Sequence, residues 1–100
     1  MIEAVEEALR FSRGKGRKDL VRDRKLALAL IKDIEIMGEA ASRVSGSFRG
    51  KHPEIPWEAI VGTRNRLIHG YFEVDLDIVW RTVQSDLPVL LGALRRIRRP

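Results

Sequence analysis

DRKLALALIKDIEIMGEAASRVS, residues 23–45, sets Ala27, Leu30, Ile31, Ile34, Met37, Gly38, Ala41 and Val44 at a 3.6-residue period through roughly five turns. That period predicts one long amphipathic helix with a single apolar stripe. Gly38 and Ala41 lie on the stripe, and side chains that small predict close approach of a neighbouring helix. Upstream, Ile2, Val5, Ala8 and Leu9 alternate with Glu3, Glu6, Glu7 and Arg10, which predicts a helix over residues 2–13 that ends at Gly14 and Gly16. Downstream, residues 46–56 read as a connector carrying Gly50, Pro53 and Pro56. Pro56 suits the first turn of a third helix, expected over residues 56–69 and closed by Gly70. Asp75 or Asp77 can cap a fourth, whose apolar set Leu76, Val79, Trp80, Val83, Leu87, Leu90, Leu91, Leu94 and Ile97 stays in phase. Pro88 is expected to kink or interrupt that helix, with Ser85 or Asp86 restarting it as a cap. Sustained period-2 alternation is absent. The expectation is a single all-α domain over residues 1–100, a four- to five-helix up-down bundle with short connections.

Composition narrows the function classes. Of 100 residues, 44% are hydrophobic and 33% charged, which suits a folded globular chain and excludes a disordered one. The longest apolar run, Leu87–Leu94, is broken by Pro88 and Gly92 and falls far short of the ~20 residues a membrane span needs. Glu3, Glu6 and Glu7 stand where a secretory signal would carry positive charge, so a cytoplasmic location is expected. Cysteine is absent, which removes disulfides, thiolate metal sites and cysteine nucleophiles. His52 and His69 are the two histidines, too few for a zinc site built from one chain; no metal or cofactor is expected. No Gly-rich phosphate loop, serine-centred triad or paired-carboxylate motif is present.

The charge balance is 19 − 14 = +5. Eight of the 19 basic residues fall between Arg10 and Lys25, and Arg95, Arg96, Arg98 and Arg99 form a second cluster. Basic clusters favour an anionic partner, nucleic acid first, but a solvated linker and tail would look the same. Charge alone does not decide between them.

The third helix breaks its own pattern. At ~100° per residue, Ile60, Val61, Leu67 and Ile68 lie within about 60° of one direction, and Arg64 sits at the centre of that stripe. A guanidinium there is costly unless it is paired or opens on a wet groove, or unless its stem packs while its head reaches water. Asn65 and His69, at i and i+4, share an adjoining face, and Tyr71 follows just past Gly70. Arginine matches phosphate with a fixed fork of donors, and histidine exchanges protons near neutral pH. Arginine, amide, imidazole and phenol within eight residues suit a phosphodiester. Glu39, late in the second helix, could pair with Arg64 or Arg66 across the bundle or face solvent. Arg66 points away from the Arg64 stripe, as an RNA-backbone contact or an ordinary surface arginine. His52 reads as a connector residue, and Trp57 and Trp80 read as core.

Arg64-Asn65-Arg66-Leu67-Ile68-His69-Gly70-Tyr71 resembles the Arg-x4-His-x-Tyr motif of the HepT-like toxins in the HEPN superfamily. IMGEAASRVS resembles the Gly-Glu-Ala-Ala segment of that family, and KHPEIPWEAIVGTRNRLIHGYFEVDLDIVW its most recognisable block. The similarity covers about residues 25–90, while the first 24 residues match more loosely. The resemblance implies an all-helical homodimer whose two motifs line a basic groove, and metal-independent cleavage of RNA. It further implies the toxin role of a type VII toxin–antitoxin pair, with an MntA-type minimal nucleotidyltransferase as antitoxin that adds AMP to the motif tyrosine. Carried over by position, Arg64 and His69 match the catalytic pair, Asn65 the polar position beside the arginine, and Tyr71 the modified residue. A second function class uses the same surface: a non-catalytic binding or regulatory module that serves a nucleotidyltransferase.

Overall fold

Asp23 ends one helix and opens the next, its carboxylate accepting the Leu26 amide at 3.1 Å. The computed structural model describes residues 1–67 and 75–98. In chain order the helices are α1 (Ile2–Ser12), α2 (Arg17–Arg22), α3 (Arg24–Ser42), α4 (Gly46–Lys51) and α5 (Trp57–Leu67), then a continuous rod of α6 (Leu76–Arg81), a π turn (Thr82–Asp86) and α7 (Leu87–Arg98). Among the described residues there is no strand, so the chain is all-α as its periodicities imply.

The long helix α3 is the spine. Its Leu30, Ile34, Met37 and Ala41 are buried against Val5 and Ala8 of α1, Leu67 of α5, and Val79 and Val83 of the C-terminal rod. A fully buried side chain of this size contributes about 2 kcal/mol, so the stripe that marks α3 in the sequence also assembles the bundle. α7 closes the core by packing on α1. Asp75 caps α6, accepting the amides of Asp77 and Ile78. Among the described residues no helix is long and apolar enough to cross a membrane.

Two short helices occupy stretches that read as connectors. Gly14 takes a left-handed φ of +74° just after α1, which an L side chain rarely adopts, and the chain turns there into α2. Asp19 reaches back to accept the Gly16 amide at 2.6 Å, and Leu20 is the one side chain that α2 buries. α4 is held from outside: Ser45 caps it, accepting the Phe48 amide at 3.1 Å. Arg49 of α4 donates through Nη2 to the Ala41 carbonyl at 2.6 Å, a second donor beside the Val44 amide at 3.2 Å, and so ties α4 to the end of α3.

The helical backbone runs on through Pro88, with a π turn just before it, and neither Ser85 nor Asp86 restarts it as a cap. The backbone stays in the helical region at Arg81 and at Leu87, and the Leu87 amide donates to the Thr82 carbonyl, five residues back. In an α-helix a proline ring clashes with the carbonyl four residues earlier. The widened turn relieves that clash, so Val83, Leu87, Leu90 and Leu91 remain buried on one face.

Candidate functional site

Gly38 brings α3 and α5 into contact. A Cβ built on it would lie 2.6 Å from the Cβ of Arg64 and 2.9 Å from its Cδ. The Arg64 stem therefore lies across bare α3 backbone, which accounts for an arginine in the middle of an apolar stripe: its aliphatic part packs and its head emerges. The side chain is 25% exposed, and Nη1 donates to Oε2 of Glu39 at 2.7 Å. Of the two partners open to Glu39 in the sequence, the structure brings it to Arg64. The other oxygen of the same carboxylate, Oε1, forms an ion pair with Nη2 of Arg43 at 2.9 Å. One carboxylate thus joins the guanidinium of Arg64 on α5 to that of Arg43, the residue that closes α3.

This triad opens on a groove of about 800 Å³ between α3 and α5, also lined by Lys32, Glu35, Ile36 and Asn65. Its charges are Lys32, Arg43 and Arg64 against Glu35 and Glu39, 3 − 2 = +1. Asn65 is exposed beside Arg64, as its place after the arginine implies. Arg66 is exposed outside this lining, and its Nη2 donates back to Oγ1 of Thr63 at 3.3 Å. Thr63 is buried and donates in turn to the Ala59 carbonyl at 2.9 Å. Ile68, His69, Gly70 and Tyr71 lie outside the described residues, so the helix stop at Gly70 and the placement of His69 and Tyr71 stay sequence readings. Leu67, two positions before His69, is fully buried and anchors that end of α5.

Trp57 is buried, with Nε1 donating to the His52 carbonyl at 3.1 Å, and Trp80 packs against the core cluster. Trp57 is core, as expected, and Trp80 is half-buried at its edge. His52 caps the end of α4, its ring 4.5 Å from that of Phe48.

The sequence reading missed two groove residues, Lys32 and Arg43. The signal was present: they are eleven residues apart, within about 20° of each other on a helix, with Glu39 between them on the same face. It also missed Asp33, which is 2% exposed, and whose Oδ2 meets no partner among the described residues. Burial above all, then a hydrogen bond and charge repulsion from Glu7, push its carboxyl up from 3.8 to about 7, against the opposing pull of Arg10. Asp33 is not part of the groove lining. Among the described residues no three of the His, Asp and Glu side chains converge as metal ligands.

Comparison with known proteins places these features in a family. The family model described as "Ribonuclease HepT-like" matches residues 1–97. A protein of Thermococcus cleftensis named "Probable ribonuclease HepT" is 39% identical over 97 residues, covering 97% of this chain and 88% of its own. A protein of Caldanaerobacter subterraneus subsp. tengcongensis, named as a candidate RNase, is 34% identical over 97 residues, covering 97% and 87%. Another so named, from Methanocaldococcus jannaschii, is 33% identical over 88 residues, covering 88% and 81%. No solved structure matches the chain.

Proposed function

The chain belongs to the HepT-like ribonuclease family, and from that premise we propose that it is a metal-independent endoribonuclease acting through Arg64 and His69. The observation that carries this reading is the seating of Arg64: its stem rests on Gly38, and its head is held by Glu39 at the mouth of an open groove. Cutting RNA without a metal uses the chain's own 2′-hydroxyl as nucleophile against the adjacent phosphorus. The O2′–P bond forms, the P–O5′ bond breaks, and a proton moves from O2′ to a base while another reaches O5′ from an acid. His69 supplies acid–base capacity, Arg64 faces the charge that grows on the non-bridging oxygens, and Asn65 positions the phosphate. The products carry a 2′,3′-cyclic phosphate and a free 5′-hydroxyl.

One chain has one motif histidine, whereas the reaction needs a base and an acid at once. A homodimer that brings two motifs to one groove supplies both. The biological role that follows is that of the toxin in a type VII pair, restrained by an MntA-type nucleotidyltransferase that adds AMP to Tyr71. By the helical phase read from the sequence, Tyr71 returns toward the Arg64 direction, so a phosphate added there would occupy the guanidinium and exclude the substrate. Purified protein incubated with single-stranded RNA and chelator tests the chemistry. Arg64→Ala is expected to slow cleavage on the order of 10²-fold, and His69→Ala by 10²–10⁴-fold. Cleavage by His69→Ala at the wild-type rate would refute the assignment.

A further inference from the structure

Arg43 belongs to neither the motif nor the α5 helix. It is 78% exposed, and among the described residues its one ionic partner is the carboxylate that also holds Arg64. An exposed i,i+4 pair on its own contributes little and would not need explaining. Here the pair does something further. Oε1 and Oε2 of Glu39 sit between two guanidiniums, and a phosphodiester presents the same pattern, two anionic oxygens on one centre. Both arginines line one groove, and each has the planar fork of donors that grips such a group. We propose that Arg43 is a second phosphate-binding residue of this groove, gripping an RNA phosphodiester together with Arg64, while Glu39 keeps the two guanidiniums converged when the groove is empty. This rests on the ribonuclease reading and adds to it the residue that closes α3, one turn beyond Glu39.

The experiment measures binding of a single-stranded RNA carrying 2′-O-methyl groups, which lacks the nucleophile and stays intact, from 50 to 200 mM salt. Each phosphate contact on a single strand contributes about 0.7 to the slope of log K against log salt. Arg43→Ala is expected to reduce that slope by about 0.7 and to weaken binding. Arg43→Lys keeps the charge and loses the fork, so it should keep the slope and still bind more weakly than wild type. Lys51→Ala, which removes an exposed cation outside the groove, controls for net charge. If Arg43→Ala matches Lys51→Ala in slope and affinity, the role given to Arg43 is wrong while the ribonuclease reading stands. If wild type binds no RNA even at 50 mM salt, both fall.

Discussion

Gly38→Ala perturbs the site with a single methyl group. The new Cβ would stand 2.6 Å from Arg64 Cβ and 3.1 Å from its Cγ. Cβ is fixed to the α5 backbone, so no rotamer change removes the clash and the two helices must part. Overpacking of this kind costs about 1–3 kcal/mol, and the helix propensity gained on replacing a mid-helix glycine by alanine offsets about 1 kcal/mol. The net expectation is a loss of up to about 2 kcal/mol. The larger effect falls on the site. Separating α5 from α3 moves the Arg64 head relative to Glu39, and displacement by about 1 Å can reduce an enzymatic rate 10²-fold. Gly62→Ala is the comparison: Gly62 lies on α5 itself, and nothing stands within 4 Å of its would-be Cβ. There the propensity gain goes unopposed, for a stabilisation of about 0.5–1 kcal/mol and unchanged cleavage. Urea midpoints and initial rates of RNA cleavage measure both variants. A Gly38→Ala protein as stable and as active as Gly62→Ala would refute the helix-contact argument and the seating of Arg64 built on it.

Asp33 makes stability depend on pH. Its folded-state pKa of about 7 stands above the ordinary 3.8, so between those values the folded chain keeps a proton that the unfolded chain has lost. Stability should therefore fall as pH rises from about 4 to about 7 and level off above that. Asp33→Asn should abolish this part of the slope and raise stability at pH 8; identical urea midpoints for variant and wild type across the range would count against it. Tyr71→Phe keeps the ring and removes the acceptor oxygen. After co-expression with the cognate nucleotidyltransferase, intact mass should show AMP increments on wild type and none on Tyr71→Phe, and equal modification of both would eliminate the proposed control.

What the sequence discloses and what it hides follow a physical division. α3 is legible because many side chains repeat its period, so no single exception obscures it. α2 and α4 are not, because one buries only Leu20 and the other buries no side chain. They rest instead on contacts without local pattern, such as Arg49 reaching Ala41 and Arg17 pairing with Asp77 across 60 residues. Pro88 signals a break, yet the rod continues, because burial of the apolar face on both sides of it outweighs the cost of a widened turn. At the site, Arg64 announces itself by interrupting an apolar stripe, and Gly38 announces the close approach that seats it. The pairing of Arg64 with Glu39, 25 residues away, is a tertiary fact that the helical period alone leaves among alternatives. Arg43 escaped notice because an exposed arginine on a charged helix face has an ordinary explanation until its partner is seen to be shared.

On the proposed mechanism RNA is cut by its own 2′-hydroxyl, with protein side chains alone as acid, base and charge stabiliser. Mass analysis of the fragments that purified protein releases from a defined RNA, with excess chelator present, tests it most directly. Cleavage is expected to survive the chelator, with 2′,3′-cyclic phosphate and 5′-hydroxyl ends that are lost together in His69→Ala. Cleavage that stops in chelator, or fragments ending in 5′-phosphate, would contradict that mechanism.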